Sequence, residues 1–225
     1  MVTSLVYRYN GRMTNERHQL LQAAATYLAA HDHRLAPIIA QAGPCTIEPH
    51  SQYYQELVDS IIGQQLSIKA ADTILGRFKA LFGGRFPTPE QILTKTPDEL
   101  RAVGLSRAKV SYVQDLALHI LEGRLQVGKL PRLSNEEVIR ELTAVKGIGE
   151  WTAHMFLMFS LGRLDVLAVG DLGIRTAAMR LYELPTLPSA EQLRALADKH
   201  HWAPYESIAC WYLWRSLNNE PAKSS

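Results

Sequence analysis

The strongest constraint on this chain is its hydrophobic periodicity, which is helical along almost the whole length. Apolar residues recur three and four positions apart, as Leu20, Leu21, Ala24 and Leu28 do near the start. No convincing window alternates apolar and polar residues as a half-buried strand does, although residues 1–10 resemble a short extended piece. The pattern predicts an all-α array of about ten short helices joined by brief connections.

Helix starts are marked by capping residues at regular places. Thr88-Pro89-Glu90 and Thr96-Pro97-Asp98-Glu99 each put a capping residue before a proline at the first helical position. Thr96 with Glu99, and Ser134 with Glu137, also match the capping box. These signals and the periodicity predict helices near residues 15–30, 37–42, 53–64, 67–82, 89–94, 97–103, 106–122, 134–144, 150–161, 172–183, 189–200 and 204–218.

Composition excludes several classes of protein. The 225 residues are 47% hydrophobic, which is ordinary for one large or two small globular domains and excludes disordered and collagen-like chains. Lys plus Arg is 24 and Asp plus Glu is 22, so the net charge is only +2 and nucleic-acid binding would need a local patch. The two cysteines, Cys45 and Cys210, exclude a four-cysteine zinc or iron–sulfur site and indicate a reducing compartment.

The turn Val145-Lys146-Gly147-Ile148-Gly149 joins two helical patterns. Its glycines permit positive φ and a close approach of the backbone, and the helix that follows begins with free amides that point outward. Such amides suit a DNA phosphate, which they grip without reading the sequence. The same spacing fits a plain αα-hairpin with a glycine cap, and the residues alone leave both interpretations open.

Asp171 lies between Gly170 and a helical pattern that starts near Leu172. Aspartate is a preferred helix N-cap, so the residue by itself favours a structural cap.

Four segments together resemble a known family. LTAVKGIGEWTA, residues 142–153, resembles the helix-hairpin-helix of the DNA glycosylases that pair this motif with a Gly/Pro-rich loop and a catalytic aspartate. The other three segments follow the family order and are IIGQQLS (61–67), GLSRAK (104–109) and LDVLAVGD (164–171). The resemblance covers about residues 15–218 and is nearest to the AlkA-type 3-methyladenine DNA glycosylase II group, in a compact form without the β-domain that some members carry.

The resemblance implies a reaction. A glycosylase of this type flips an alkylated base, such as 3-methyladenine or 7-methylguanine, and hydrolyses its N-glycosidic bond. The catalytic residue would be Asp171, because a carboxylate stabilises the positive charge that builds on the sugar and can orient or deprotonate water. Family members that also cut the strand carry a lysine where this chain has Trp151, which cannot form a Schiff base, so the resemblance implies a monofunctional enzyme.

The resemblance also implies how the base and the DNA are held. Indoles at Trp151 and Trp214 would stack on the cationic base, with Gln64 and Tyr205 as further pocket residues; Trp202 and Trp211 are better explained by core packing. Either Gln65 or Leu66 would be the wedge that fills the vacated stack. The other expected DNA contacts are Ser106, Lys109, Lys146, Gly147, Gly149 and Arg175, of which Arg175 is as readily explained as a solvated charge.

The family pattern further implies two lobes. Residues 53–160 would form a central lobe, residues 1–52 would pack with residues 161–225, and Asp171 would meet Trp151 in the cleft between the lobes. No cofactor is required, but the backbone carbonyls of Thr143, Val145 and Ile148 are the positions that would hold a monovalent cation, Na⁺ or K⁺.

The expected partner is double-stranded DNA with damaged bases, bound by a monomer. No apolar run suits a signal peptide or a membrane span, so a soluble protein is expected, cytoplasmic and nucleoid-associated in a bacterium or nuclear in a eukaryote. Two alternatives stay open: a glycosylase for deaminated or other damaged bases, and a non-catalytic helix-hairpin-helix DNA-binding module, against which Asp171 and the two pocket tryptophans argue.

Overall fold

A computed structural model describes residues 14–218, so the extended piece expected at residues 1–10 lies outside the described residues. Throughout the described range the chain is helical and has no strand, which confirms the all-α prediction. The helices are α1 (Asn15–His31), α2 (Ala36–Ala42), α3 (Tyr53–Gly63), α4 (Ile68–Leu81), α5 (Pro89–Leu93), α6 (Pro97–Ala102), α7 (Arg107–Leu121), α8 (Asn135–Thr143), α9 (Glu150–Met155), α10 (Leu172–Leu181), α11 (Ala190–Lys199) and α12 (Glu206–Asn218).

The predicted helices are confirmed, and their ends lie within two residues of the expected bounds, except that α9 ends at Met155, six residues before the expected end at 161. The caps explain this accuracy. Thr96 and Ser134 each accept the amide of the residue three positions on, and the Glu side chain there returns a bond to the cap amide. The prediction missed a 3₁₀ helix at Val127–Arg132 and a π-helical turn at Phe156–Ser160, which continues α9.

The described chain divides into two compact units. The first is His50–Leu161 and contains α3 to α9. Its core is made of fully buried apolar side chains, among them Val58, Ile61, Phe78, Val113, Leu116, Leu142 and Leu157. Within this unit α5 packs on α7, and α8 packs on α9 across the hairpin.

The second unit comprises residues 14–49 and 162–218, with α1, α2 and α10 to α12. α10 packs on α12 in this unit. Trp202 and Trp211 are 0% and 2% exposed, so the prediction that they belong to the core is confirmed. No helix between residues 14 and 218 combines the length and the apolarity that crossing a bilayer requires.

A buried carboxylate fastens the end of α1 in the second unit. Asp32 is fully buried, and its Oδ1 accepts the backbone amides of Arg34 at 3.0 Å and Leu35 at 3.1 Å. Its Oδ2 accepts the indole N–H of Trp202 at 2.8 Å and the hydroxyl of Tyr182. Such a set of donors offsets the cost of burying a carboxylate.

Candidate active site

Asp171 is both a helix cap and an enclosed carboxylate. It precedes α10 in extended conformation, and its Oδ1 accepts the amide of Ile174 at 2.8 Å. The side chain is nearly buried, at 3% exposure. The N-cap expected from the residue alone is therefore present, and it fixes the direction of the carboxylate from its own helix.

Trp214 holds the same carboxylate from another helix. This residue lies on α12 and is 8% exposed, and its Nε1 donates to Asp171 Oδ1 at 2.9 Å. The two donors on Oδ1 come from elements far apart in sequence, so the carboxylate is held in place from two directions.

Gly173 leaves the room that this contact needs. A Cβ added at residue 173 would lie 3.0 Å from Asp171 Oδ1 and 3.2 Å from both Cδ1 and Nε1 of Trp214. A larger residue at 173 would therefore require the carboxylate or the indole to move by a few tenths of an ångström. Sequence reasoning missed Gly173, and the only signal for it was a glycine two positions after the candidate aspartate.

The two cysteines do not supply an alternative nucleophile. Cys210 on α12 and Cys45 are both buried and free. Burial raises the pKa of each thiol to about 12, so both are protonated near neutral pH.

The hairpin turn of the first unit joins α8 to α9, and its two predicted glycines differ. Gly147 has φ +81°, and a Cβ there would lie 2.1 Å from Cδ2 of Tyr112, so no other residue fits. Gly149 has φ −95°, and a Cβ there would meet nothing within 4 Å. The fold therefore requires glycine only at 147, whereas at 149 it leaves open space above the backbone.

Lys146 is attached to α7 through its backbone. Its amide donates to Asp115 Oδ2 at 2.9 Å, and its ammonium lies 3.6 Å from Oδ1 of the same residue. The Lys146 side chain is 68% exposed, which suits the predicted contact with a phosphate. Asp115 was missed by sequence reasoning, because nothing local distinguishes it from a solvated charge.

The loop between α3 and α4 contains both candidate wedges. Gln65 is exposed and has φ +58°, a left-handed conformation that is uncommon outside glycine, whereas Leu66 is half-buried. The neighbouring Gln64 donates from its side-chain Nε2 to the carbonyl of Gly147 at 2.8 Å. Gln64 was expected in the base pocket; its described contact is with the hairpin, and its pocket role stays a prediction.

Lys109 points into the protein. Its Nζ donates to the carbonyl oxygens of Ile62 at 2.7 Å and Gln64 at 2.8 Å, and burial lowers its pKa. Two of its three ammonium donors are thus used internally, which corrects the expectation of a side chain directed at DNA. Ser106, expected beside it at the DNA, caps α7 by accepting the amide of Lys109 at 3.2 Å.

The remaining predicted residues have varied surroundings. Arg175 is half-buried and donates from Nε to the carbonyl of Pro188 at 2.7 Å, so it is not a freely solvated charge. The Tyr205 ring packs edge-on against Tyr27, with centroids 5.3 Å apart. Trp151 is half-buried in the first turn of α9. The pocket roles of Trp151 and Tyr205, and the cleft expected to join Trp151 to Asp171, stay predictions.

The expected cation ligands fit the chemistry of a hard monovalent ion, because all three are neutral backbone oxygens. The carbonyl of Val145 accepts the amide of Ile148 at 3.1 Å, which uses one of its two lone pairs. The hydroxyl of Thr143 donates back to the carbonyl of Ile139 at 2.7 Å, so Thr143 would contribute through its own carbonyl.

The chain is similar to known proteins along most of its length. A family model described as HhH-GPD superfamily base excision DNA repair protein matches residues 58–201. The chain is 37% identical over 185 residues to DNA-3-methyladenine glycosylase 1 of Schizosaccharomyces pombe, covering 81% of this chain and 80% of that protein.

Solved structures are similar in fold as well. The crystal structure of a Bacillus halodurans DNA-3-methyladenine glycosidase matches with a TM-score of 0.78 and 42% identity, covering 87% of this chain and 89% of that one. A Schizosaccharomyces pombe 3-methyladenine DNA glycosylase in complex with abasic DNA matches with a TM-score of 0.74 and 35% identity, covering 86% of this chain and 95% of that one.

Proposed function

Because the chain belongs to the HhH-GPD superfamily of base excision DNA repair proteins, we infer that it is a monofunctional DNA glycosylase of the 3-methyladenine type. It binds DNA and hydrolyses the N-glycosidic bond between an alkylated base and its deoxyribose. The observation that carries the assignment of the catalytic residue is the position of Asp171 at the end of LDVLAVGD, within the range that matches the family, where the α10 amide and the Trp214 indole fix its Oδ1.

Asp171 would act on the sugar rather than on the base. A purine alkylated at N3 or N7 is already cationic, so it departs as a neutral base when the bond to C1′ breaks. Positive charge then builds on the sugar, and a fixed carboxylate beside it lowers the energy of that state. Water adds to C1′ and passes its proton to the carboxylate, which releases it to solvent.

Two indoles would hold the flipped base. The Trp214 ring would stack on the base while its N–H holds Asp171, so one side chain would align the base with the carboxylate. Trp151 would supply a second aromatic face, and Tyr205 and Gln64 the edges of the pocket. Stacking accepts any electron-poor base, which suits an enzyme for alkylation damage.

Trp151 also sets the type of reaction. Without a lysine at this position no Schiff base forms with the sugar, so the product is an abasic site in an unbroken strand. Borohydride added during turnover on alkylated DNA should trap no covalent protein–DNA adduct. A trapped adduct would contradict this assignment.

The hairpin would bind a backbone phosphate of the DNA. Its parts are the exposed ammonium of Lys146, the open space above Gly149 and the free amides at the start of α9. The carbonyls of Thr143, Val145 and Ile148 would hold a Na⁺ or K⁺ ion, whose charge would favour the phosphate. Such a small footprint needs no basic excess, which agrees with the net charge of +2.

The experiment that tests this function is base release from duplexes that each carry one defined lesion. Wild-type protein should free 3-methyladenine and 7-methylguanine and act as a monomer in sedimentation. Release of deaminated bases alone would favour the other glycosylase specificity. If the protein bound DNA but released no base, it would be a non-catalytic DNA-binding module.

A further inference from the structure

One face of α7 contacts both segments of the first unit that the proposed function assigns to DNA. Lys109, Tyr112 and Asp115 follow one another at intervals of three residues and therefore share a helix face. Lys109 contacts the loop that carries Gln65, while Tyr112 and Asp115 contact the hairpin turn.

Lys109 contacts the loop next to Gln65, whose backbone conformation is strained. Its ammonium donates to the carbonyls of Ile62 and Gln64. Both carbonyls lie at the end of α3, where the helix no longer supplies amide donors. The Gln64 carbonyl belongs to the peptide group that leads into Gln65, whose φ is +58°. A non-glycine residue keeps such a conformation only where surrounding contacts impose it, and strain of this kind is concentrated at functional sites.

The same loop is tied to the hairpin. The side chain of Gln64 donates to the carbonyl of Gly147 at 2.8 Å, and Gly147 lies directly against the ring of Tyr112. The amide of Lys146 donates to Asp115 at 2.9 Å. These contacts form a closed circuit from α7 to the loop, from the loop to the hairpin and from the hairpin back to α7.

We propose that Lys109 is a positioning residue that holds Gln65 in its strained conformation and in register with the hairpin. When the hairpin grips the backbone, Gln65 then stands where it enters the base stack as the wedge. This role rests on the proposed function, and it replaces the phosphate contact that the sequence suggested for Lys109.

The test compares Lys109→Met with Lys129→Met, which removes the same charge from an exposed position in the first unit. The dissociation constant is measured at several salt concentrations for an undamaged duplex and for one with a tetrahydrofuran abasic site. Wild type should prefer the abasic duplex, because a wedge fills its gap. Lys109→Met should reduce that preference roughly tenfold or more and keep the salt slope, whereas Lys129→Met should keep the preference.

Other outcomes overturn the proposal. If Lys109 bound a phosphate, its loss would weaken both duplexes alike and reduce the salt slope by about 0.9. An unchanged preference in folded Lys109→Met, or no preference in the wild type, would also contradict it.

A second variant guards against misfolding. Should Lys109→Met fail to fold, Gln64→Leu breaks the bond to the hairpin at a half-buried side chain and should reduce the preference in the same way. An unchanged preference in folded Gln64→Leu would contradict the proposal. The abasic duplex carries no base, so neither a pocket role of Gln64 nor a failure of base release affects this measurement.

Discussion

Asp32 and Asp171 are two aspartates of the second unit with similar surroundings and different assigned roles. Both are buried, at 0% and 3% exposure, and both accept backbone amides close by in sequence. Each also accepts the indole N–H of a tryptophan, from Trp202 at 2.8 Å and from Trp214 at 2.9 Å. Burial and an indole bond are therefore not by themselves a sign of catalysis.

The difference lies in what flanks each carboxylate. Asp32 is enclosed by large side chains, with Tyr182 and Trp202 on Oδ2 and the ring of His200 3.6 Å from Oδ1. Asp171 instead has glycines at positions 170 and 173, and the side chain of Leu172 next to it is 64% exposed. The first carboxylate is thus part of the core, whereas the second lies next to the surface that a substrate can reach.

The largest effect is expected for Asp171→Asn, which tests whether Asp171 takes part in the reaction. Asparagine keeps the N-cap, so the melting temperature should stay close to that of the wild type. The single-turnover rate of base release should fall by about 10²–10⁴, because the charge that stabilises the sugar is removed. An unchanged rate with the same lesion duplex would remove Asp171 from the reaction.

Asp32→Ala should show the opposite pattern. It leaves the indole of Trp202, the hydroxyl of Tyr182 and two amides without their acceptor, which should lower the free energy of unfolding by about 3 kcal/mol or more. Base release per folded molecule should not change. Urea unfolding and an active-site titration measure the two quantities, and a loss of rate in fully folded protein would contradict the structural role.

The two tryptophans offer a matched pair. Trp214→Phe removes the indole donor from Asp171 and should reduce the rate of base release roughly tenfold with little loss of stability. Trp202→Phe removes the corresponding donor from Asp32 and should cost about 1–2 kcal/mol of stability with no loss of rate. If the two variants behaved alike, the distinction between the carboxylates would fail.

The smallest expected effect concerns pH and His200. Desolvation lowers the pKa of His200, although Asp32 opposes the shift. Below about pH 6.5 the unfolded chain binds this proton more readily than the folded one, so stability should fall as the pH drops through that value and level off below the lowered pKa. His50 contributes with the same sign, because desolvation lowers its pKa too.

Melting curves at about pH 7.5 and about pH 5.5 test this dependence. The fall in melting temperature should be smaller in His200→Gln than in the wild type. A larger fall in the variant would mean that the attraction of Asp32 outweighs desolvation.

The sequence determined the helices and pointed to the motifs, because both depend on neighbours along the chain. A capping bond such as that of Thr96 joins residues three apart, so the helix start can be predicted without knowing the fold. Asp171 and the hairpin glycines were likewise found from contiguous motifs. Even there, only Gly147 proved to be required by the fold, and it is required by Tyr112.

Only the tertiary structure decided where side chains on those helices point. Trp214 meets Asp171 across 43 residues, Lys109 meets the loop across 45 and 47 residues, and Gln64 meets Gly147 across 83. Helical periodicity gives the face on which a lysine lies but not whether that face meets solvent or the unpaired carbonyls of another helix. Lys109 points inward because its ammonium donates to backbone carbonyls at the end of α3. Those carbonyls belong to residues far away in sequence, so no local pattern around residue 109 reveals the contact.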